Sequence, residues 1–387
     1  MKRVKSMKNT LVVIVGALLI SLAPLAVRAD TFTWNDADGV WSDSNAWQGV
    51  VAPPGVTPPD SLSFGSVNGG SNSTNDLGAG TASINSISAN TGASANHSVN
   101  LYGDSIQMSG ENASITAASG TQLAIHNDLN LVNNTGVGGN GGTVTINGQV
   151  SGSGNLTVNG AGTYILNNSG NSYGGTAVNA GTLVVNGNGT TGAGSVTVSG
   201  TGVLKGSGTV GELHISSGGA IAPGNSPGTM HAGATEFGGG GVYVWELNDF
   251  TGTAGNDPGW DLLSVSGQLD VTALPTDPFV IKLTTLTLGD TAGQAANLNP
   301  RESYSMAIAT ASGGIVGFNP NDFVLDLSGY QNPLNEGFWS ISKAGNSIDL
   351  NFTAVPEPST VMLWLVGLAV FGTRYILRKR ATAVVSA

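Results

Sequence analysis

The pentapeptide Gly224-Asn225-Ser226-Pro227-Gly228 has the spacing of a serine-hydrolase nucleophile elbow. In such an elbow the backbone N–H of the residue after the serine helps to form the oxyanion hole. Here that residue is Pro227, which has no N–H to donate. No helical pattern follows, although the elbow is a strand-to-helix turn. The stretch therefore predicts a turn and no catalytic serine.

Three glycine-rich stretches, which begin at Gly136, Gly187 and Gly206, match the G-x-G-x-x-G pattern of dinucleotide-binding loops. Such a loop needs a helix behind it, whose N-terminus holds the phosphate, and here each stretch is followed by a strand pattern. The four histidines lack metal-ligand spacing, and Asp36–Gly39 lacks the spaced ligands of an EF-hand. We therefore expect no cofactor and no metal.

The charge of the chain limits the remaining chemistry. Residues 30–355 carry 23 Asp and Glu against four Lys and Arg, a balance of −19, which repels phosphate backbones and excludes nucleic acid as a partner. Lyases that act on acidic sugars need basic residues in their clefts, and these four are widely spaced. Glycoside hydrolases use two carboxylates whose separation in space defines the site, and the sequence does not give that separation. We expect no enzymatic activity, with a β-helical polysaccharide-degrading enzyme as an alternative.

Three tryptophans, Trp34, Trp41 and Trp47, lie close together in the sequence. The Asp and Asn residues around them would suit a site where sugars stack on aromatic rings, which makes the three side chains candidate glycan contacts. Large aromatic side chains also bury much apolar surface, so the same cluster could close the open end of a fold. We favour the closing role and keep a secreted carbohydrate-binding module as an alternative.

The N-terminal segment, 1–29, has the three-part pattern of a secretory signal peptide. Four positive charges within residues 2–8 precede an apolar run over 11–27, and small residues follow. Cleavage is expected between Ala29 and Asp30. The sequence therefore predicts export of a mature chain that begins near Asp30.

The C-terminal part combines a short motif, an apolar stretch and a basic cluster. Val355-Pro356-Glu357-Pro358-Ser359 is followed by an uncharged stretch over 361–373 and then by Arg378-Lys379-Arg380. Extended to Leu377, the stretch is just long enough for a transmembrane helix, and the basic stop should stay cytoplasmic. This arrangement indicates a temporary membrane anchor that awaits a processing enzyme.

These C-terminal residues resemble the PEP-CTERM sorting signal of Gram-negative bacteria. The resemblance implies processing by an exosortase at the Pro-Glu-Pro motif, a transient anchor in the inner membrane, and a final location in the cell envelope, at the outer surface or outside the cell. It covers residues 355–380, and a tail over 381–387 lies beyond the family's pattern.

The body of the chain predicts an all-β solenoid. Glycine supplies 59 of 387 residues, roughly twice its usual share, and short apolar runs occur in pairs between turn residues. The pairs begin at Leu156, Val178, Val196 and Leu213. Repeats of about 20 residues with one buried face indicate a right-handed parallel β-helix, with a β-sandwich as the alternative.

Two segments of the body, 174–187 and 218–229, resemble the autotransporter-associated β-strand repeat, and the resemblance is clearest over 150–230. It implies a secreted β-helical passenger. The predicted organisation is a signal peptide over 1–29, a Trp-rich cap and first strands over 30–80, β-helix repeats over 81–240, C-terminal β-rich rungs and a cap over 241–354, and the sorting signal over 355–380.

These features together predict an exported surface or extracellular-matrix protein with a structural or adhesive role. The outer face of the solenoid would be rich in Asn, Thr, Ser and Asp, which can form many weak hydrogen bonds with a hydrated polymer. The resemblance to sorted proteins implies association with exopolysaccharide or biofilm.

Overall fold

The computed structural model describes residues 29–35, 38–49, 59–65, 70–80, 82–90, 97–355, 364 and 366–375. Regular structure in this part of the chain is almost entirely β-strand, as predicted. Two short 3-10 helices, Ser44–Ala46 and Pro320–Asp322, interrupt the strands. The strands are β1 (Thr31–Trp34), β2 (Gly39–Val40), β3 (Asp60–Gly65), β4 (Ser71–Asn75), β5 (Ala82–Asn90), β6 (His97–Gly103), β7 (Ile106–Met108), β8 (Ala113–Ala117), β9 (Thr121–Ile125), β10 (Leu129–Leu131), β11 (Thr135–Gly138), β12 (Asn140–Ile146), β13 (Val150–Gly152), β14 (Leu156–Leu166), β15 (Thr176–Val185), β16 (Val196–Gly206), β17 (Leu213–Ile215), β18 (Ala220–Pro223), β19 (Thr229–Ala232), β20 (Thr235–Phe237), β21 (Val242–Leu247), β22 (Thr253–Ala254), β23 (Gly259–Trp260), β24 (Leu262–Val265), β25 (Leu269–Val271), β26 (Phe279–Thr285), β27 (Tyr304–Ala311), β28 (Ile315–Val316), β29 (Phe323–Gly329), β30 (Phe338–Ala344) and β31 (Ser347–Thr353).

Parallel pairing between successive turns of the chain organises these strands into three faces. The first face stacks β1, β3, β5, β8, β11, β14, β15, β16, β17, β20, β25 and β28. The second face stacks β2, β4, β6, β9, β12, β14, β15, β16, β18, β21, β26 and β29. The third face stacks β5, β7, β10 and β13, and later β19, β24 and β27.

This parallel arrangement is compatible with the predicted β-helix, whereas a β-sandwich would pair its strands mainly in antiparallel fashion. On the third face the two groups of strands are linked by isolated parallel bridges, such as Thr190–Thr209 and Thr209–His231. The long strands β14 and β15 pass from the first face to the second with a register shift at the corner. The right-handed direction of the coil stays a prediction.

Stacked apolar side chains fill the interior. On the first face the inward positions pair in sequence from one turn to the next, in the order Phe32, Leu62, Ile87, Ile115, Val137, Val158, Val178, Val198, Ile215, Phe237 and Val271. Each of these side chains is buried. Full burial of such a side chain stabilises the fold by about 1.5–3 kcal/mol, so the ladder forms a continuous core along the solenoid.

The start predicted for one turn of this ladder was wrong. The sequence analysis began that turn at Val178, whereas Leu156 pairs with Thr176, and Thr176 pairs with Val196. Thr176 therefore occupies an inward position that the sequence analysis assigned only to apolar residues. Its burial is tolerated because its hydroxyl group forms a hydrogen bond of 3.0 Å with the hydroxyl group of Tyr173.

The N-terminal end of the solenoid is covered by its own chain. The segment after the first 3-10 helix lies along the open edge of β1, where the N–H of Gln48 donates to the carbonyl of Thr33 at 2.8 Å and that of Asn35 donates to Ala46 at 2.9 Å. Trp34 and Trp47 form an antiparallel bridge there. An edge strand with unpaired backbone groups would be a template for association, and this segment occupies those groups.

The C-terminal end is built differently. A second sheet has the strand order β19-β24-β27-β31-β30, in which β31 pairs in antiparallel fashion with both β27 and β30. It therefore extends the third face and finishes it with a hairpin. Aromatic side chains pack beneath this hairpin, among them Trp245 with Trp339 at 6.2 Å and Trp339 with Phe352 at 5.5 Å between ring centroids.

After β31 the chain is helical at Trp364 and over 366–375. Side chains of this helix are largely exposed, including Trp364 at 72% and Phe371 at 73%. Among the described residues, no helix has both the length and the apolar character needed to span a bilayer. The predicted transmembrane helix is thus not shown. The remainder of that predicted segment, and residues 1–28 of the predicted signal peptide, lie outside the described residues.

Candidate processing sites and outer surface

The predicted signal-cleavage site lies directly before the first strand. Ala29 and Asp30 are both exposed and directly precede β1. The backbone N–H of Asp30 donates to the Oδ1 atom of Asp60 at 3.1 Å, and the N–H of Ser61 donates to the carbonyl of Asp30 at 2.9 Å. A cut before Asp30 would therefore leave these bonds to the second turn intact.

The sorting motif follows the last strand almost without a spacer. Strand β31 ends at Thr353, and the N–H of Ala354 still donates to the Oγ atom of Ser303 at 3.1 Å. Val355, the first motif residue, is 38% exposed. The other predicted motif residues, Pro356, Glu357, Pro358 and Ser359, and the basic residues Arg378, Lys379 and Arg380 lie outside the described residues. The first residue of the motif thus lies two positions after the end of β31.

The three tryptophans predicted as candidate glycan contacts lie in the core. Trp34, Trp41 and Trp47 are 1%, 0% and 3% exposed. Their rings pack edge to face, with centroids 4.7 Å apart for Trp34 and Trp47 and 6.1 Å apart for Trp41 and Trp47. The indole N–H of Trp41 donates to Ser73 Oγ at 2.7 Å. With their ring faces covered, these side chains offer no stacking surface to a sugar, and their position favours the closing role.

The G-x-S-x-G stretch forms a turn between β18 and β19, and no helix follows it. Ser226 has a positive φ of 70°, and its hydroxyl donates to the Oε2 atom of Glu246 at 2.5 Å. The partner of Ser226 is therefore a glutamate and not a histidine, which is the usual general base of serine hydrolases. None of the three G-x-G-x-x-G stretches, all of which are described, precedes a helix.

A buried carboxylate that the sequence analysis did not single out organises this turn. Asp261 is 0% exposed, and it accepts the N–H of Gly228 and that of Glu246, both at 2.9 Å. Burial, and then the charge of Glu246, raises the pKa of Asp261 well above its usual value, while the two backbone donors oppose this shift. Asp261 is 33 residues from Gly228, so no local pattern could have identified the pair.

A group of three hydrogen-bonded polar side chains lies on the outer side of the first face. The Nδ1 atom of His214 is 2.8 Å from the Oε2 atom of Glu236, and the hydroxyl of Thr272 donates to the Oε1 atom of Glu236 at 2.7 Å. The hydrogen bond from Thr272, followed by that of His214, lowers the pKa of Glu236. The described residues include no group of three or more His, Asp or Glu side chains arranged to hold a metal ion.

The asparagines of the outer face hydrogen-bond to one another between turns. The side-chain amide of Asn179 donates to Asn159 Oδ1 at 2.9 Å, and Ser199 Oγ donates to Asn179 Oδ1 at 3.2 Å. Asn167 and Asn147 are linked in the same way at 2.9 Å. Part of the polar surface that the sequence analysis assigned to polysaccharide binding therefore serves to tie neighbouring turns together.

Comparison with known protein families identifies the PEP-CTERM protein-sorting motif over residues 354–380. The predicted sorting signal is thereby confirmed. This motif implies processing by exosortase and export to the cell envelope or surface. A search of curated proteins finds no relative of the chain. The likeness to autotransporter-associated repeats and the Gram-negative origin stay predictions.

Proposed function

We propose that this protein is a structural or adhesive component of the cell surface or extracellular matrix, associated with exopolysaccharide. The observation that carries the proposal is the junction of the body and the sorting motif, because a continuous β-solenoid ends at Thr353 and the motif starts at residue 354. In this proposal the apolar segment after the motif anchors the chain transiently in the inner membrane, and exosortase releases the solenoid as cargo.

The described surface supports a structural role over catalysis. The turn with the hydrolase spacing is tied to Glu246 and Asp261, and the candidate sugar-stacking tryptophans are buried. The three-faced stack offers instead a long series of outward Ser, Thr and Asn side chains. Many weak hydrogen bonds presented on one rigid body give appreciable avidity for a polymer without any single strong site.

Processing at the motif tests the proposed sorting. The full chain is expressed in a bacterium that possesses an exosortase, together with Glu357→Gln in the motif and the matched control Glu302→Gln, which changes an exposed glutamate of the folded body. We expect the unaltered chain and the control at the cell surface or in the medium, shortened at both ends by intact-mass analysis. The motif variant should remain at full C-terminal length in the membrane fraction.

Two results would contradict the proposed sorting. One is normal shortening and release of the Glu357→Gln chain, which would show that the motif does not direct processing. The other is accumulation of the unaltered chain in the cytosol with residues 1–29 still attached. Hydrolysis of a polysaccharide by the released protein, abolished by changing a single Asp or Glu, would replace the structural role with the enzymatic alternative.

A further inference from the structure

The corner between the third and first faces of the solenoid is concave over several turns. Two concavities, of about 520 and 560 Å³, lie along it and share Ser264 and Ser266. The first extends back to Ala193, and the second extends forward to Ser347. We call this continuous depression the corner groove, and it crosses the turns that contain Ala193, Thr209, His231, Ser266, Thr310 and Asn346.

Close approach of backbone segments explains why the groove is there. At this corner the N–H of Gly233 donates to the carbonyl of Gly211 at 2.9 Å, and that of Gly313 donates to the carbonyl of Gly267 at 2.8 Å. A Cβ atom placed on Gly313 would lie 2.6 Å from the carbonyl carbon of Gly267. Gly211 and Gly233 line the smaller concavity, which therefore has no side chains at these two positions.

The dimensions of the groove suit a linear polymer. Neighbouring strands lie about 4.8 Å apart, so the five steps between the six chain segments that line the groove, the last of them at the β30–β31 hairpin, give a length of roughly 24 Å. The groove follows the axis of the solenoid and is shallow along its length. A compact small molecule would use a more enclosed cavity, whereas an extended chain can contact the same set of atoms on each turn.

The lining of the groove accepts hydrogen bonds and contains no Asp, Glu, Lys or Arg. Ser266 Oγ donates to the carbonyl of Ala232 at 3.0 Å, Ser312 Oγ to that of Ser266 at 2.6 Å, and Ser347 Oγ to that of Ala344 at 3.0 Å. Since these hydroxyl hydrogens are engaged, each oxygen is left with acceptor capacity. Sugar hydroxyl groups are suitable donors to such a row of oxygens.

Charge and backbone pairing exclude the other extended polymers. A balance of −19 over residues 30–355 repels polyanions. An extended polypeptide that binds by strand addition would need an open strand edge, yet β24, which contributes the middle of the groove, already pairs with β19 on one side and β27 on the other. A neutral, hydroxyl-rich chain is the occupant that these observations favour.

We propose that the corner groove binds a single chain of a neutral polysaccharide along the axis of the solenoid. This inference rests on the proposed function, because it gives the exported protein a specific site and a class of ligand. Hydroxyl groups of successive sugars donate to the serine and threonine oxygens of successive turns. The groove therefore accounts for adhesion to polysaccharide without the tryptophans.

Affinity electrophoresis of the full chain, purified in mild detergent, tests the groove. The gels contain dextran, hydroxyethyl cellulose, galactomannan or the polyanion alginate. The variant Ala193→Leu/Ser266→Leu places two bulky side chains in the groove at exposed positions, and the matched control Thr197→Leu places one on the exposed surface of the first face. We expect at least one neutral polymer to retard the unaltered chain and the control, with affinity lowered about tenfold or more in the double variant.

Several outcomes would overturn the inference. These are retardation by none of the three neutral polymers, retardation by alginate alone, or equal retardation of the double variant. Sedimentation that shows self-association of the unaltered chain, lost in the double variant, would assign the groove to a second copy of the chain. Cell fractionation of the same variants keeps the two proposals separate, since the double variant should still be exported and processed.

Discussion

At the scale of single residues, polar groups of this protein stabilise the fold by joining distant parts of the chain. Asp261 holds the turn at Gly228 to strand β21 through two backbone N–H groups. Ser226, which has the sequence context of a nucleophile, is a donor to Glu246 in the same group. Residue types that suggest chemistry in the sequence thus act here as structural hydrogen-bonding groups.

Replacement of Glu236 tests the outer-surface contact with His214 and Thr272. Because the pKa of Glu236 is lowered in the folded protein, its ionised form contributes stability above the ordinary value of 4.5, and that contribution is lost as the pH falls through the lowered pKa. Glu236→Gln should reduce the free energy of unfolding at pH 7 by less than about 1 kcal/mol, since the contact is half exposed. At pH 3, below the ordinary pKa of 4.5, the difference from the unaltered chain should be smaller than at pH 7.

Urea unfolding at the two pH values measures this effect. The control is Glu111→Gln, which changes an exposed glutamate in a turn and should alter stability little at either pH. An equal loss for Glu236→Gln at pH 7 and pH 3 would mean that shape or packing, and not the charge of the carboxylate, makes the contribution.

At the scale of elements, each strand is stabilised chiefly by the turns above and below it. Val178 in β15 lies between Val158 and Val198 in the inward ladder, and all three are fully buried. The alternating burial of β15 shows the period of two that the sequence predicted. Alternation does not determine the register, that is, which residues pair between neighbouring turns, because loops of different length separate one turn from the next.

Shortening one inward side chain should weaken this stack measurably. Val178→Ala removes two methyl groups from a closely packed position, and we expect a loss of about 1.5–3 kcal/mol in the free energy of unfolding. Thr197→Ala, an outward substitution on the adjoining strand, should change stability by about 0.5 kcal/mol or less. Chemical denaturation of both variants measures the difference. Similar losses at the two positions would contradict the inward assignment of Val178.

At the scale of the whole molecule, the solenoid has closed ends of two different kinds. The tryptophan group and the segment at Gln48 cover the edge of β1, and the hairpin of β30 and β31 finishes the other end. A stack of parallel strands has two open edges unless its terminal turns are modified. Coverage of the β1 edge is consistent with an exported cargo that does not associate through this end before it reaches its destination.

Removal of the N-terminal closure should therefore promote association. Trp47→Ala deletes the ring that packs against Trp34 and Trp41, and we expect a loss of about 3–5 kcal/mol in stability together with end-to-end oligomers. Analytical sedimentation detects them. Tyr102→Ala, which changes a 38% exposed aromatic side chain in the third strand of the second face, is the control and should leave sedimentation unchanged. Unaltered sedimentation of the Trp47→Ala chain would show that this segment does not protect the edge.

Features that depend on neighbouring residues were predictable from the sequence. Alternating apolar residues predicted inward strands such as the one at Leu183. Pro227 excluded the nucleophile elbow. The order of motif, apolar stretch and basic cluster predicted the sorting signal that the family comparison found over 354–380. Each of these depends on local backbone chemistry or on linear order, which the chain carries with it before it folds.

Only the tertiary structure decided which residues from distant turns meet. It placed Thr176 in the inward ladder, covered the ring faces of Trp41 and joined Asp261 to a turn 33 residues away. It also brought Ala193, His231 and Ser266 together along the corner groove. The physical reason is that contacts between turns depend on the register of the stack. That register is set by the packing of all three faces together, and variable loop lengths conceal it in the sequence.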